Sequence, residues 1–200
     1  MTDAALSLLT ALGLSTAAGL NAYLPLLIVG LLGRYTDLID LGSPYDQLQR
    51  PGVLAIIGAI ALIDFVGDKI PAIDHALHAV GIVVAPVAGA MVALAVTGND
   101  AVEPAFALVV GVAAAGATQG ARSIVRPGST ALTGGAGNPV LSLGEDTVST
   151  ALSFAAIVVP VLAFVMVLAV FALLFWGVRR VLRLRRARWL SGAPRDASTR

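Results

Sequence analysis

AALSLLTALGLSTAAGLNAYLPLLIVGLLG, residues 4–33, is the stretch of this sequence that decides its fold class. It has no charged residue, and as a single helix it would extend for about 45 Å, beyond the ~30 Å hydrocarbon core of a bilayer. Its middle contains Gly19, Asn21 and Pro25, and a proline removes one backbone donor from a helix. We therefore expect a membrane segment that is broken or kinked between Gly19 and Pro25.

The rest of the chain has the same apolar character. Hydrophobic residues make up 58% and charged residues 12% of its 200 residues, and the mean hydropathy is +0.89. Soluble domains have about half apolar and a quarter charged residues. Residues 53–66 are short for a full span, so a re-entrant helix is the alternative there. With apolar segments also at 76–97, 104–121 and 148–178, the sequence predicts an all-α, polytopic membrane protein of about five to six transmembrane or re-entrant helices.

A weak internal repeat relates two parts of the chain, about residues 4–98 and 101–178. The string AAGLNAY at residues 17–23 resembles AAGATQG at residues 114–120, so each half would contain a broken, glycine-rich helix. Three elements per half would leave the two halves inverted relative to each other in the membrane. We therefore expect an inverted 3+3 repeat within a single transmembrane domain, residues 1–190.

Residues 122–146 are expected to form irregular backbone. The segment has five glycines and two prolines and few apolar side chains for a lipid-facing helix. Irregular backbone persists at membrane depth only inside protein or beside water. The last helix, residues 148–178, is expected to kink at Pro160.

Basic residues are concentrated at the C-terminus. Eight of the thirteen are arginines from Arg179 onward, whereas residues 1–178 have eleven acids and five bases. Arginine beside a membrane helix marks the cytoplasmic side. We expect a multi-pass plasma-membrane protein whose basic juxtamembrane helix, residues 179–190, binds anionic lipid along Arg179–Arg188. Residues 191–200 would be a disordered cytoplasmic tail.

Several functional classes have no support in the sequence. The absence of cysteine excludes disulfides, thiolate metal sites and iron–sulfur clusters. The P-loop, the dinucleotide-binding fingerprint and the H-E-x-x-H zinc motif are missing, and no pair of nucleophile and base stands out. We expect no enzyme activity, no cofactor, no metal site and no nucleic-acid partner.

The candidate pathway residues are polar groups within or beside the apolar segments. Amides and hydroxyls in broken membrane helices can bind solutes, and carboxylates and imidazoles at membrane depth serve cation or proton sites. Helical i,i+4 spacing places each of two pairs on one face, namely Asp64 with Asp68 and Asp74 with His78. Interhelical hydrogen bonds and helix capping are plainer roles that remain open. The full set is Asn21, Thr118, Gln119, Asp64, Asp68, Asp74, His78, Glu145 and Asp146.

A second candidate site is basic. Guanidinium groups and exposed amides can hold an anion or a phosphorylated lipid headgroup, and a flexible loop with arginines on the cytoplasmic side is the plainer interpretation. This site would consist of Arg122, Arg126, Ser129 and Thr130.

From these features we predict a transporter or channel-like protein for a small solute or ion. A phosphorylated-lipid binding protein or flippase is one alternative, and a structural membrane subunit without a pathway is another. Glycines spaced four residues apart would also permit a homo-oligomer, because they let helices approach closely.

Three strings of the sequence resemble a known family. They are GLNAYLPLL at residues 19–27, DKIPAIDHALH at residues 68–78, with the spacing DKIP-x-x-D-x-x-x-H, and GNPVLSLGED at residues 137–146. These strings are similar to an uncharacterised family of small bacterial integral membrane proteins, a domain of unknown function. The resemblance covers nearly the whole chain before the basic tail, and it implies a membrane location and one shared fold without any particular chemistry.

Overall fold

The structure, a computed structural model, describes residues 3–67 and 71–191, and the side chains in these ranges except at 71–76, 99–101, 132, 185 and 187–191. Within the described residues the chain forms seven α-helices, one short 3₁₀ helix at Tyr45–Gln49, and no strand. The all-α prediction is confirmed. The helices are α1 (Asp3–Leu20), α2 (Tyr23–Tyr35), α3 (Pro51–Gly67), α4 (Pro71–Ala101), α5 (Pro104–Thr133), α6 (Asn138–Val158) and α7 (Pro160–Ser191).

The helices are suited to a bilayer. Among the described residues, four segments are long and apolar enough to cross it, and α2 and α3 are shorter apolar helices. Large apolar side chains cover the outer faces: Leu173 is 68% exposed and Val83 is 67% exposed. Contiguous apolar surface of this kind requires lipid, so the helices indicate a multi-pass membrane protein. The four segments are Asp3–Leu20, Leu77–Gly98, Pro104–Ala131 and Pro160–Leu184.

Helix α1 lies at the centre and contacts α4, α5, α6 and α7. Its second half is fully buried at Ala11, Leu14 and Ala17. Small residues let the surrounding helices approach closely. A hydroxyl group also ties α1 to α4, since Ser15 Oγ donates to the Gly89 carbonyl at 2.9 Å.

The predicted break between Gly19 and Pro25 is confirmed. Helix α1 ends at Leu20, the chain bends at Ala22, and α2 begins at Tyr23. Asn21 caps α2, because its Oδ1 accepts hydrogen bonds from the backbone N–H groups of Tyr23 at 3.0 Å and Leu24 at 3.2 Å. Pro25 lies in the first turn of α2, where a helix has no need of its missing N–H.

Helices α4 and α5 pack closely through glycine. A Cβ atom built on Gly89 would lie 2.7 Å from the Gly111 carbonyl oxygen, so the two backbones touch there. Gly116 and Gly120, which have G-x-x-x-G spacing on α5, do not form such a contact: a Cβ on Gly116 would be 3.7 Å from Pro86, and one on Gly120 would meet nothing within 4 Å.

Two expectations about the second half are wrong. Helix α5 runs without interruption through residues 114–120, so there is no second broken helix at that position. Residues 122–146 are also mostly helical, since α5 continues to Thr133 and α6 begins at Asn138. The predicted inverted repeat therefore lacks the support of a second broken helix.

Packing against α7 explains why α5 continues past Pro127. A Cβ atom on Gly128 would lie 2.5 Å from Val181, and one on Gly177 would lie 3.2 Å from Val125. Proline is tolerated inside membrane helices when neighbours replace the lost backbone bond. Helix α5 ends where Gly134 adopts a left-handed conformation, with φ 63°.

The break at Pro160 is found where the sequence predicts a kink. Helix α6 ends at Val158 and α7 starts at Pro160. Helix α7 then continues through the basic run to Ser191. The tail from residue 192 onward lies outside the described residues.

Candidate functional site

Polar side chains from three helices meet Asn21 where α1 bends into α2. We call this set the bend cluster; its members are Asn21, Asp64, Gln119, Arg122, Arg126, Glu145 and Asp146. Asp64 is near the end of α3, and Glu145 and Asp146 are adjacent on α6. The α5 residues recur at intervals of three and four, which places them on one helix face.

Asn21 links two acids of the cluster. It is 5% exposed, and its Nδ2 donates to Asp146 Oδ1 at 2.9 Å and to Asp64 Oδ2 at 3.2 Å. Because its Oδ1 already caps α2, the amide cannot be turned around without losing both backbone bonds. One amide group therefore fixes the start of α2 and holds carboxylates from α3 and α6 near each other.

An arginine pair encloses Glu145. Arg122 Nη2 lies 2.6 Å and Arg126 Nη2 lies 2.5 Å from Glu145 Oε2. Both arginines are buried, and buried charges of this kind are stabilised only when they are paired and hydrogen-bonded. Arg122 Nη1 also donates to Gln119 Oε1 at 2.9 Å and to the Gly19 carbonyl at 3.2 Å. The ion pairs thus join α5 to α6, and the hydrogen bond to Gly19 joins α5 to the end of α1.

His78 approaches the cluster from α4. Its Nε2 lies 3.1 Å from Ser123 Oγ, and the Gln119 amide donates to the His78 carbonyl at 3.4 Å. Gly81 makes room for this contact, because a Cβ there would lie 2.9 Å from Gln119 Nε2. Helices α4 and α5 are therefore tied together beside the buried arginines.

The bend cluster borders a small inner cavity. Its volume is about 30 Å³, enough for about two water molecules. Both signs of charge face it, together with neutral polar groups. The polar residues that line it are Asn21, Tyr23, Asp64, His78, Gln119, Arg122 and Arg126.

A larger space lies on the other side of Asn21, between α2, α3 and α6. This lateral groove has a volume of about 680 Å³. Asn21 lines both the groove and the inner cavity, whereas Asp146 faces the groove. Asn21 is therefore the residue that the linings of the two spaces have in common.

Residues 8–180 match the family described as a domain of unknown function, DUF4126. The chain belongs to this family. The match confirms the resemblance to an uncharacterised family. No curated protein and no solved structure matches the chain.

Two of the three strings that resemble the family contribute residues to the bend cluster. Asn21 belongs to GLNAYLPLL, and Glu145 and Asp146 end GNPVLSLGED. His78, the last residue of DKIP-x-x-D-x-x-x-H, lines the inner cavity. Of the other residues in that string, Asp68 lies outside the described residues, and the side chain of Asp74 is likewise outside the description.

The other predicted site residues lie away from the inner cavity. Thr118 is fully buried, and its Oγ1 bonds to the Ala114 carbonyl at 2.9 Å within α5. Thr130 bonds to Asn138 across the α5–α6 turn, at 3.0 Å. The four residues of the basic candidate site are thus divided, because Arg122 and Arg126 engage Glu145 while Ser129 and Thr130 lie nearer the end of α5.

The partnership of Arg122 and Arg126 with Glu145 was not anticipated from the sequence of this DUF4126 chain. The polar residues of α5 recur at positions 119, 122, 126 and 130. That period indicates one continuous helix face, and it would have extended α5 past Pro127. Among the described residues, no group of three histidine, aspartate or glutamate side chains is placed to hold a metal ion.

Proposed function

We propose that this protein is a small transporter or channel-like protein that moves a small solute or ion past the bend of α1 into α2. The observation that carries the proposal is the inner cavity, a polar space lined by charged side chains inside a bundle with an apolar exterior. Ionisable groups at membrane depth are costly, and they mark solute and ion pathways in other membrane proteins.

The position of the cluster supports this proposal. Val125 packs near Gly177 and Gly128 near Val181, so Arg126 lies level with the start of the basic run of α7. Gln119 comes two helical turns before Arg126, about 10 Å further into the bundle. The bend cluster therefore extends from the basic end of the bundle towards its interior, and broken helices that expose backbone and side-chain polar groups can form solute sites there.

One buried donor also favours a passing solute. Arg122 Nε is buried and has no hydrogen-bond partner among the described residues. Buried polar atoms are normally hydrogen-bonded. A polar solute in the inner cavity would provide the partner.

The alternatives have less support. A phosphorylated lipid would have to compete with Glu145 for Arg122 and Arg126, because both guanidinium groups already bind that carboxylate. A structural subunit without a pathway would be expected to pack its interior with apolar groups rather than around a charged cavity. We also propose no enzyme activity.

We place the protein in the plasma membrane with the C-terminus in the cytoplasm. Helices α5 and α7 are parallel, since Val125 packs near Gly177 and Gly128 near Val181. Arg126 is therefore on the same side of the bundle as the basic run of α7, and clustered arginine favours the cytoplasmic side. Anionic lipid at Arg179–Arg188 and a homo-oligomer are further proposals of the same kind.

Flux through purified protein tests the transport proposal. Proteoliposomes should pass at least one of potassium, chloride, ammonium or glycerol faster than protein-free vesicles. Gly81→Leu should abolish that flux, because its side chain would fill the inner cavity beside Gln119. Gly120→Leu is the matched control, since a side chain there meets nothing within 4 Å. A folded Gly81→Leu protein with full flux, or no flux for any of these solutes, would contradict the proposal.

A further inference from the structure

The lateral groove has the dimensions of a ligand site. Its volume of about 680 Å³ falls within the range of about 300–1,000 Å³ that is usual for small-molecule pockets. It lies between α2, α3 and α6, and two side chains on its rim are open to the surroundings of the bundle, Leu62 at 63% exposure and Phe65 at 38%. A molecule dissolved in the bilayer can therefore reach it from the side.

The groove has mostly apolar walls and a few polar groups. Leu24, Leu62 and Leu143 contribute to the apolar walls, and the polar side chains are Asn21, Asp146, Thr147 and Thr150. Ligand pockets commonly combine apolar surface with a few placed polar groups. Such a site selects a molecule with a large apolar body and one polar or charged group.

The charge of the lining decides which polar group fits. Among the described residues that line the groove there is one carboxylate, Asp146, and no lysine, arginine or histidine. The inner cavity, in contrast, is lined by both acids and arginines. A cation in the groove would be attracted to Asp146, whereas an anion would be repelled.

Gly58 keeps the middle of the groove open. It lies inside α3, and a Cβ atom built on it would meet nothing within 4 Å. A glycine inside a helix costs roughly 0.5–1 kcal/mol relative to alanine, and here no close helix contact accounts for it. The missing side chain leaves room for a ligand.

We propose that the lateral groove binds a lipophilic cation, a molecule with an apolar body and a single positive charge that pairs with Asp146. Binding in the groove does not depend on the proposed transport function. Only the onward movement of the bound cation through the protein rests on that function. Asn21 connects binding to transport, because its Nδ2 donates both to Asp146 in the groove and to Asp64 in the inner cavity. A cation that draws Asp146 away from this amide would break the hydrogen bond by which Asn21 links the two spaces.

Two probes of the same shape and opposite charge test the proposal, tetraphenylphosphonium and tetraphenylborate. Equilibrium binding of each is measured to the full chain in lipid nanodiscs, with empty nanodiscs as the baseline. Tetraphenylphosphonium should bind saturably and at least about tenfold more tightly than tetraphenylborate. Equal saturable binding of the two ions, each measured above its own partition into empty nanodiscs, would overturn the proposal, since the site would then not distinguish the sign of the charge.

Variants then locate the site. Asp146→Asn should weaken tetraphenylphosphonium binding by about tenfold or more, because a charge-assisted contact is lost. Gly58→Leu should do the same by filling the groove, and it leaves the Asn21 network intact. The matched controls are Asp37→Asn, an exposed acid in another part of the chain, and Gly120→Leu; both should bind as the unmodified protein does.

The results separate this proposal from transport. If Gly58→Leu binds like the unmodified chain, or if Asp146→Asn keeps its preference for the cation, the groove is not the site and the proposal fails. If binding follows the predicted pattern while proteoliposomes pass none of the four solutes named above, the cation site stands and the proposed transport function is what fails.

Discussion

Asn21 shows how much of this site depends on the orientation of a single amide. Its oxygen faces the start of α2, and its nitrogen faces Asp64 and Asp146. Only a side chain with an acceptor and a two-hydrogen donor at this distance can satisfy all four groups. Asparagine is therefore required by the hydrogen bonds, although a helix cap alone would accept serine, threonine or aspartate.

Replacement of Asn21 by aspartate tests this account. Asn21→Asp keeps the size of the side chain and the capping oxygen but places a third carboxylate against Asp64 and Asp146. We expect the protein to lose about 1–3 kcal/mol of stability, the usual cost of a buried partner left unsatisfied. The measurement is denaturant or thermal unfolding of the purified protein in detergent.

A second substitution provides the control for that experiment. Asp64→Asn in the Asn21→Asp background restores one donor and acceptor pair with the roles exchanged. The double variant should recover part of the lost stability. If Asn21→Asp is as stable as the unmodified chain, the bridging hydrogen bonds contribute nothing to folding.

At the scale of helices, the sequence predicts where apolar segments lie better than where they end. The break before α2 was predictable because Gly19, Asn21 and Pro25 occur together within an apolar stretch too long for one span. The glycines and prolines of residues 122–146 suggested irregular backbone by the same reasoning. That prediction failed because contacts with α7 hold α5 helical past Pro127, and a sequence does not display such contacts.

The sequence indicates several of the polar residues near the bend, but it does not indicate which of them form ion pairs with each other. Asn21 borders both spaces at the bend, Gln119 borders the inner cavity, and Asp146 borders the lateral groove. The sequence assigned Arg122 and Glu145 to different sites, whereas they form one ion pair. They are 23 residues apart, and only the antiparallel return of α6 beside α5 brings them together.

Gly19 and Gly116 separate the sequence interpretation from the structural one. The match of residues 17–23 with residues 114–120 aligns Gly19 with Gly116, so a repeat would predict similar effects of substitution at the two positions. In the structure, a Cβ on Gly19 would lie 2.6 Å from the Ala115 carbonyl oxygen, whereas one on Gly116 would be 3.7 Å from Pro86. We therefore expect Gly19→Ala to lower the melting temperature and Gly116→Ala to leave it unchanged or raise it, because alanine favours helix over glycine. Equal loss for both variants would contradict this difference in packing.

At the scale of the whole molecule, charge is divided between the two ends of the bundle. Helix α1 is parallel to α5, since Gly19 packs on Ala115 and Thr118 while Ser15 lies opposite Gly89, which in turn touches Gly111. The starts of α1 and α5, which carry Asp3 and Glu103, are therefore at one end. The arginines of α5 and α7 are at the other end, which gives the bundle a direction in the membrane.

Single-cysteine labelling tests that direction, and the chain suits the method because it contains no native cysteine. Three helices, α5, α6 and α7, separate Glu103 from the tail, so an odd number of crossings should place the two on opposite sides. Glu103→Cys, exposed at the start of α5, should react with a membrane-impermeant maleimide in intact cells. Ser198→Cys should react only after the membrane is permeabilised, because the arginines before it favour the cytoplasm. Reaction of Ser198→Cys alone in intact cells would reverse the orientation, and reaction of both would mean that one of the three helices does not cross the membrane.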